Sequence, residues 1–245
     1  MAGSLYTVHE SQTILMRDLS VLEEKLGVSF KNKELLETSL VHRSYLNEHK
    51  NFSLPQNERL EFLGDAVLEL VVTEYLYRNY PNPEGELTNF RYALVNHRIL
   101  SKIADRLNLG DYILLSRGEA KDTGRARQII LANAIEAVIG AMYLDQGFEV
   151  CHKFIDREVL VELPNIMAAG SYIDPKSQLQ ELIQEREGVT PNYRVLAESG
   201  PDHAKVFEIG VFVNSKLIGK GNGHSKQEAE IAAAADALKQ LAIIS

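Results

Sequence analysis

Apolar residues recur every three or four positions along the first two thirds of the chain. Such spacing predicts amphipathic helices rather than strands. Few strand-like runs interrupt it between residues 13 and 163, so we assign residues 13–165 to an all-α domain. Asn32 is the predicted N-cap of the second helix. The first two helices carry the leucines Leu15, Leu19, Leu22 and Leu26, then Leu35, Leu36 and Leu40.

The pattern changes after a Gly- and Ser-containing stretch, preceded by Pro164, that we assign, at residues 166–172, to a linker. A helix starting at Pro175 is followed by three runs with strand character and an alanine-rich helix. This order predicts an α-β-β-β-α domain over residues 173–243. The three runs are Tyr193–Ser199, Val206–Asn214 and Lys216–Gly221, with a tight turn at Asn214-Ser215, and the last helix spans Ser225–Ile243.

Two segments of the first domain, Asn57–Leu70 and Ile129–Leu144, are apolar on nearly all sides, which is typical of buried helices. Each nevertheless carries oxygen side chains on one stripe. Buried carboxylates repel one another unless they are paired or bind a cation. Two facing stripes predict a cage for Mg²⁺ or Mn²⁺ rather than zinc, and neutralisation by Arg59 or another arginine is the alternative. The stripes are Glu58, Glu61 and Asp65 in the first segment, and Asn133 and Glu136 in the second.

The cysteine content and the absence of a predicted targeting or membrane segment indicate the cellular compartment. The 245 residues carry one cysteine, Cys151, which excludes an internal disulfide and favours a reducing compartment. Residues 1–16 lack the apolar core of a signal peptide, and Asn133 and Glu136 argue against a membrane span at Ile129–Leu144. We therefore expect a cytoplasmic protein without a membrane partner.

The net charge of −8 argues against a uniformly basic nucleic-acid surface. Any such contact must come from local clusters. One candidate is the glycine-containing loop before the second apolar helix, where phosphate contacts and a solvated loop are both open interpretations. Its basic residues are Arg117, Lys121, Arg125 and Arg127.

The segment Asn57–Leu70 resembles the signature of the ribonuclease III family, the double-strand-specific endonucleases, and Ile129–Leu144 resembles that family's other metal-binding helix. The resemblance implies hydrolysis of double-stranded RNA by a homodimer with one site for each strand. The products carry 5′-phosphate and 3′-hydroxyl ends with short 3′ overhangs. The implied residues are Asp65 and Glu136 as catalytic groups; Glu61, Asp65, Asn133 and Glu136 as ligands of Mg²⁺, for which Mn²⁺ substitutes; and Glu58 and Glu84 in support behind them.

Three of these roles have plainer alternatives. Phe62 matches the apolar knob of the dimer contact, or is simply a core residue. Glu84 is otherwise a first-turn acid favoured by the helix dipole. His42, beside Arg43, is interpreted as a capping or core-edge group, with a contact to RNA or to carboxylates as the alternative.

The second domain resembles the double-stranded-RNA-binding domain through the motifs PKSQLQE at residues 175–181, GPDH at 200–203 and GNGHSKQEAE at 221–230. Such domains read A-form shape rather than sequence. Carried over by position, residues of the first helix face one minor groove, His203 enters the next, and the start of the last helix holds phosphate, with Ser225 also an N-cap. The implied RNA-binding residues are Ser177, Gln180, Glu181, Gln184, His203, Ser225 and Lys226.

The chain departs from the family pattern at two points. Asn133 stands where most members have aspartate, which predicts weaker metal binding or a shift toward Mn²⁺. Lys226-Gln227 replaces a lysine pair, which predicts one phosphate contact fewer. The alternatives are a double-stranded-RNA-binding protein without catalysis and a structural protein that only dimerises. The acids Glu58, Glu61 and Asp65 favour the enzyme. Because recognition is mostly of shape, ribosomal precursor, messenger and antisense duplexes all stay open as substrates.

Overall fold

The computed structural model describes residues 18–170, 172, 175–201 and 205–244, with side chains as far as residue 241. The chain divides into two compact units, residues 1–168 and 169–245. The predicted beginning of the first helix before residue 18, and His203, lie outside the described residues.

The first unit is all-helical among its described residues, as predicted. Short 3₁₀ turns lie at Leu109–Asp111, Glu119–Lys121 and Leu160–Glu162. The helices are α1 (Leu19–Leu26), α2 (Lys33–Ser39), α3 (Arg43–Glu48), α4 (Glu58–Asn79), α5 (Glu84–Val95), α6 (His97–Arg106), α7 (Arg125–Gln146), α8 (Phe148–Glu158) and α9 (Leu163–Ala168).

Local sequence signals fix several helix ends. Asn32 caps α2 as predicted, because its side chain accepts a hydrogen bond from the Glu34 amide. The first helix ends at Gly27, whose φ of 66° suits a residue without a Cβ. After α8 the chain continues as a 3₁₀ turn and then as α9. That last helix takes in residues 166–168, which the sequence analysis gave to the linker, because Ile166 is buried in the first unit.

The core is built around α7, which contacts α4, α6 and α2. The helices α4 and α7 cross with their backbones in contact. A Cβ on Gly64 would lie 1.7 Å from the Glu136 carbonyl oxygen, and one on Gly140 would lie 2.1 Å from the Leu60 carbonyl oxygen. Only glycine allows this approach, which brings the acids of the two helices side by side. By length and composition α7 would also suffice to cross a membrane, but most of it is buried within the first unit.

The prediction that α4 is buried on all sides is wrong. Phe62 is 81% exposed and Tyr77 is 80% exposed. Spacings of three or four residues place the exposed positions on one side of the helix, which no element of the described chain covers. We call this side the α4 stripe, and it consists of Phe62, Ala66, Leu70, Thr73 and Tyr77.

The second unit has the predicted α-β-β-β-α order. Its elements are α10 (Pro175–Glu187), β1 (Asn192–Ser199), β2 (Val206–Val213), β3 (Lys216–Gly223) and α11 (Lys226–Ile244). The strands form an antiparallel sheet in the order β1-β2-β3. Asn214 and Ser215 both adopt positive φ in the β2–β3 turn, as a two-residue hairpin connection requires. The buried face of β2 carries Ile209, Val211 and Val213 against both helices.

Candidate active site and RNA interface

The carboxylates predicted to form a cage meet where α4 crosses α7. The Asn133 side-chain amide hydrogen-bonds to the half-buried Glu61 carboxylate. Burial, with the neighbouring charge of Glu58 next, raises the pKa of Glu61, and the bond from Asn133 opposes that rise. Burial also raises the pKa of Glu136 to about 8, together with the negative charges of Asp65, Glu61 and Glu69. These acids therefore repel one another at close range.

Little positive charge offsets this cluster. Among the described residues Arg43, rather than Arg59, supplies a paired arginine, with its Nη1 3.6 Å from the Glu58 Oε1. The Arg43 side chain is 72% exposed, so water screens this pair. Glu58 also accepts a hydrogen bond of 2.9 Å from Gln56. Neither partner reaches Glu136, which stays uncompensated.

The donor set fits a hard divalent cation. Carboxylate and amide oxygens are the ligands that Mg²⁺ and Mn²⁺ accept, and a cation would remove the repulsion that raises the pKa values of Glu61 and Glu136. Within the described residues, no three Asp, Glu, His or Cys side chains converge closely enough to hold an ion alone. An ion would therefore draw the carboxylates inward or use the Asn133 amide oxygen as well.

Glu69 belongs to the same cluster but was absent from the sequence prediction. It acts electrostatically on Glu136 and lies four residues after Asp65 on α4. The spacing Glu61, Asp65, Glu69 was readable as one helical stripe.

A cavity of about 360 Å³ opens beside Glu61 and Asn133. Its wall also carries His42, Arg43 and Glu119. It therefore joins the carboxylate cluster to the start of α3 and to the loop that precedes α7.

That loop is tied to α3 by hydrogen bonds. The Ser116 amide donates to Ser44 Oγ at 3.0 Å, and the Arg117 amide donates to the Glu48 carboxylate at 3.2 Å. An isolated parallel β-bridge between Val41, just before α3, and Leu114, just before the loop, also joins these two parts of the chain. The loop thus has a fixed position beside the cavity.

The three arginines predicted to bind phosphate differ in placement. Arg117 and Arg125 have exposed side chains near the start of α7. Arg127 is partly buried and donates to the Gly110 carbonyl oxygen at 3.0 Å. Its guanidinium links α7 to the 3₁₀ turn at Leu109–Asp111, and its contact with phosphate stays a prediction.

Glu84 does not lie at the cluster within one chain, contrary to the prediction. It is exposed at the first turn of α5, beyond the C-terminal end of α4, and accepts a hydrogen bond from Thr88 Oγ1 at 3.2 Å. Asp65 precedes Asn79, the last residue of α4, by about 21 Å of helix rise. Glu84 instead borders a cavity of about 850 Å³ with Leu76, Tyr77 and Arg91.

The second unit exposes the predicted face of α10. Leu179 and Ile183 point into the core, which leaves the intervening polar positions outside. The exposed positions are Ser177, Gln180, Glu181 and Gln184.

The start of α11 is a capping box. The Glu228 amide donates to Ser225 Oγ at 3.1 Å, and the Glu228 carboxylate accepts from the His224 amide at 3.0 Å. Lys226 Nζ lies 5.7 Å from the centre of the Phe207 ring, and Lys205 Nζ lies 5.9 Å from it. Lys205, which no sequence motif singled out, lies near Lys226 around Phe207, and its Nζ also pairs with the Glu198 carboxylate at 3.0 Å.

Both units of the chain match families of known proteins. Residues 32–163 match the family model described as ribonuclease-III-like, and residues 175–241 match the double-stranded RNA binding motif. The protein named Ribonuclease 3 from Syntrophomonas wolfei is 50% identical over 219 residues, covering 89% of this chain and 92% of the relative. That from Oceanobacillus iheyensis is 46% identical over 225 residues, covering 91% and 98%.

Solved structures extend the likeness to the fold of the first unit. The nuclease domain of ribonuclease III from Campylobacter jejuni is 43% identical, with a TM-score of 0.54, over 60% of this chain and 99% of that domain. That structure is described as showing flexibility in a region involved in dimer formation. A second structure of the same domain is 44% identical with a TM-score of 0.53, covering 60% and 95%.

Proposed function

Because the chain belongs to the ribonuclease III family, we propose that it is a metal-dependent endoribonuclease that cleaves both strands of double-stranded RNA. The cuts leave 5′-phosphate and 3′-hydroxyl ends with short 3′ overhangs. We further propose a role in processing ribosomal precursor and messenger RNA in the cytoplasm, without a membrane partner.

The observation that carries the proposal is the uncompensated acid cluster at the crossing of α4 and α7. The pKa of Glu136 rises to about 8 through burial and the charges of Asp65, Glu61 and Glu69. A fold keeps buried like charges together at a cost, and cation binding offsets that cost.

The side chains at the crossing of α4 and α7 have different proposed roles. Glu61, Asp65 and Glu136 would hold Mg²⁺ or Mn²⁺ through carboxylate oxygens, and Asn133 would offer a neutral amide oxygen. Such an ion would supply a water of lowered pKa and a positive charge against the phosphate under attack. Glu58 lies next to Glu61 and is steadied by Gln56 and Arg43.

The second unit supplies affinity for the duplex. The exposed polar face of α10 suits the 2′-hydroxyls and base edges of a minor groove. Ser225, Lys226 and Lys205 suit phosphate at the start of α11. His203 is proposed to enter the neighbouring groove on family resemblance alone. This division accounts for RNA binding by a chain of net charge −8.

The α4 stripe supports a homodimer. Phe62 and Tyr77 lie at its two ends, about 22 Å apart along the helix, and Leu70 lies near its middle. A two-fold axis through Leu70 pairs two α4 helices antiparallel, so that Phe62 of each copy meets Tyr77 of the other. Tyr77 borders the cavity of about 850 Å³, which is therefore the proposed socket for Phe62. Glu84 also borders that cavity, so the same pairing brings it toward the carboxylate cluster of the second copy.

Oligomeric state tests this pairing. Phe62→Asp places a charge in the proposed socket, and we expect monomers by analytical ultracentrifugation. Val161→Asp is the matched control, because Val161 is an exposed apolar residue outside the stripe. A wild-type monomer, or an F62D dimer as stable as wild type, would contradict the pairing.

Cleavage of a long RNA duplex tests the proposed activity. The duplex exceeds the roughly 16 base pairs that one RNA-binding domain covers. Purified protein is assayed with Mg²⁺, with Mn²⁺ and with chelator, alongside Asp65→Asn. Metal-dependent products with 5′-phosphates and staggered ends, absent in the variant, are the expected result. Tight duplex binding without cleavage under either metal would replace the enzyme with a binding protein whose cage Asn133 has disabled.

A further inference from the structure

His42 occupies the boundary between the carboxylate cluster and the loop held by α3. It immediately precedes α3, and its side chain lines the cavity beside Glu61. The imidazole caps the helix, because the Ser44 amide donates to its Nδ1 at 3.3 Å. The capping role favoured from the sequence is therefore confirmed, but it uses only one side of the ring.

The hydrogen bonds define the tautomer. Since Nδ1 accepts from the Ser44 amide, the ring proton lies on Nε2. Ser44 Oγ lies 2.8 Å from the same Nδ1 and accepts from the Ser116 amide, which holds this hydroxyl beside the ring. Burial lowers the pKa of His42 and the charge of Arg43 acts the same way, against the opposing charges of Glu119 and Glu58. The result is a neutral imidazole with an Nε2–H donor on the side away from the cap.

We propose that His42 is a substrate-contacting residue, whose Nε2–H donates to an RNA backbone phosphate oxygen in the cavity beside the carboxylate cluster. The assignment rests on the proposed nuclease function and adds a residue to its site. The cavity wall holds Glu58, Glu61 and Glu119, so a phosphate entering it meets repulsion. Arg43 and His42 offer donors to a phosphate here, whereas the side-chain amides of Asn57 and Asn133 on the same wall already bond to the Ser39 carbonyl oxygen and to Glu61.

A neutral donor suits this position better than a second cation. A lysine or arginine there would pair with Glu58 or Glu61 and compete with the metal ion for them. An N–H group binds the phosphate oxygen without neutralising the carboxylates. The bonds from Ser44 and Ser116 fix the ring before RNA arrives, so its orientation costs little when the duplex binds.

Two variants at His42 separate the proposed donation from Nε2–H to RNA from the capping of α3 by Nδ1. His42→Asn keeps an oxygen near the position of Nδ1 and remains a good N-cap, but has no donor near the position of Nε2. His42→Gln places an amide N–H near Nε2 but caps poorly. We expect H42N to lower kcat/KM for duplex cleavage by about 10- to 100-fold, with thermal stability and metal-induced stabilisation unchanged. H42Q should recover part of the activity despite lower thermal stability.

The control is His97→Asn, which alters an exposed histidine at the start of α6 and should cleave like wild type. Cleavage by H42N at the wild-type rate would overturn the assignment. Loss of metal-induced stabilisation in H42N would also overturn it, because His42 would then act through the metal site. A wild-type protein that fails to cleave would refute the nuclease itself, a result distinct from a loss confined to H42N.

Discussion

The first unit contains two groups of clustered acids, one buried and one partly buried, which differ in whether a cation pairs with them. Glu158 and Glu162 are only 8% and 6% exposed, yet both are paired. Arg106 reaches both at 2.8 and 2.9 Å, and Lys102 reaches Glu162 at 3.0 Å. Burial alone would raise the pKa of Glu162, but the hydrogen bonds from Lys102 and Arg106 prevail and lower it.

The group at the crossing of α4 and α7 shows the opposite response. The pKa of Glu136 rises to about 8, because burial and the charges of Asp65, Glu61 and Glu69 act in the same direction. The same fold thus neutralises one acid pair fully and leaves another group without a buried cation. The difference separates acids that stabilise the fold through ion pairs from acids that we propose bind a divalent cation.

Removing a charge from the unpaired group should have the largest effect. Glu136→Gln is isosteric, and the lost carboxylate relieves repulsion, so the metal-free protein should be at least as stable as wild type. Cleavage should fall by more than the roughly 100-fold that loss of a supporting residue costs at a metal site. Single-turnover kinetics and urea unfolding in chelator measure both quantities. The exposed Glu149→Gln is the control, and an active E136Q enzyme would contradict the contrast.

Removing the cation from the paired group should cost stability instead. Arg106→Ala leaves Glu158 and Glu162 short of partners, although Lys102 and Arg157 remain. We expect a loss of about 2–3 kcal/mol in the free energy of unfolding by urea. Arg98→Ala, which removes an exposed arginine from the same helix, should change it by less than about 0.5 kcal/mol. Equal losses in the free energy of unfolding would show that the ion pairs of Arg106 contribute no more to stability than an exposed arginine does.

Adding a charge to the unpaired group should sharpen the comparison. Asn133→Asp removes the amide that bonds to Glu61 and adds a repelling carboxylate. We expect the metal-free protein to melt lower and Mg²⁺ to bind roughly tenfold more tightly, since ligand charge governs affinity for hard cations. Gln128→Glu adds the same charge at an exposed position of α7 and should do neither. An N133D protein that is more stable without metal would be contrary to this account.

The smallest expected effect is the pH dependence of the paired group. Its lowered pKa means that Glu162 contributes stability above its ordinary pKa of 4.5 and loses that contribution as pH falls through the folded-state pKa. Glu162→Gln should therefore cost about 1 kcal/mol at pH 7, and the gap to wild type should close in acid. Urea midpoints between pH 7 and pH 3 measure it. A gap that is constant with pH would mean that the charge of Glu162 contributes nothing.

Helical periodicity predicted α4 and α7, and the carboxylate spacing predicted the acids at their crossing apart from Glu69. Periodicity does not show which apolar side of a helix lacks a neighbour, so Leu70 was placed in a buried helix, and only the family resemblance assigned Phe62 to a dimer contact. The family resemblance assigned Glu84 to the site without its distance, and within one chain Glu84 lies beyond the far end of α4. Lys205 became visible only when the sheet brought it next to Lys226 around Phe207.

Direct metal binding tests the central contrast most simply. Mg²⁺ and Mn²⁺ are titrated into chelator-treated full-length protein by calorimetry, with Asp65→Asn and Glu158→Gln measured in parallel. The account predicts binding to wild type and E158Q with the same affinity, and its loss in D65N. Binding that survives in D65N, or none to wild type, would contradict the assignment of the unpaired acids to a metal site.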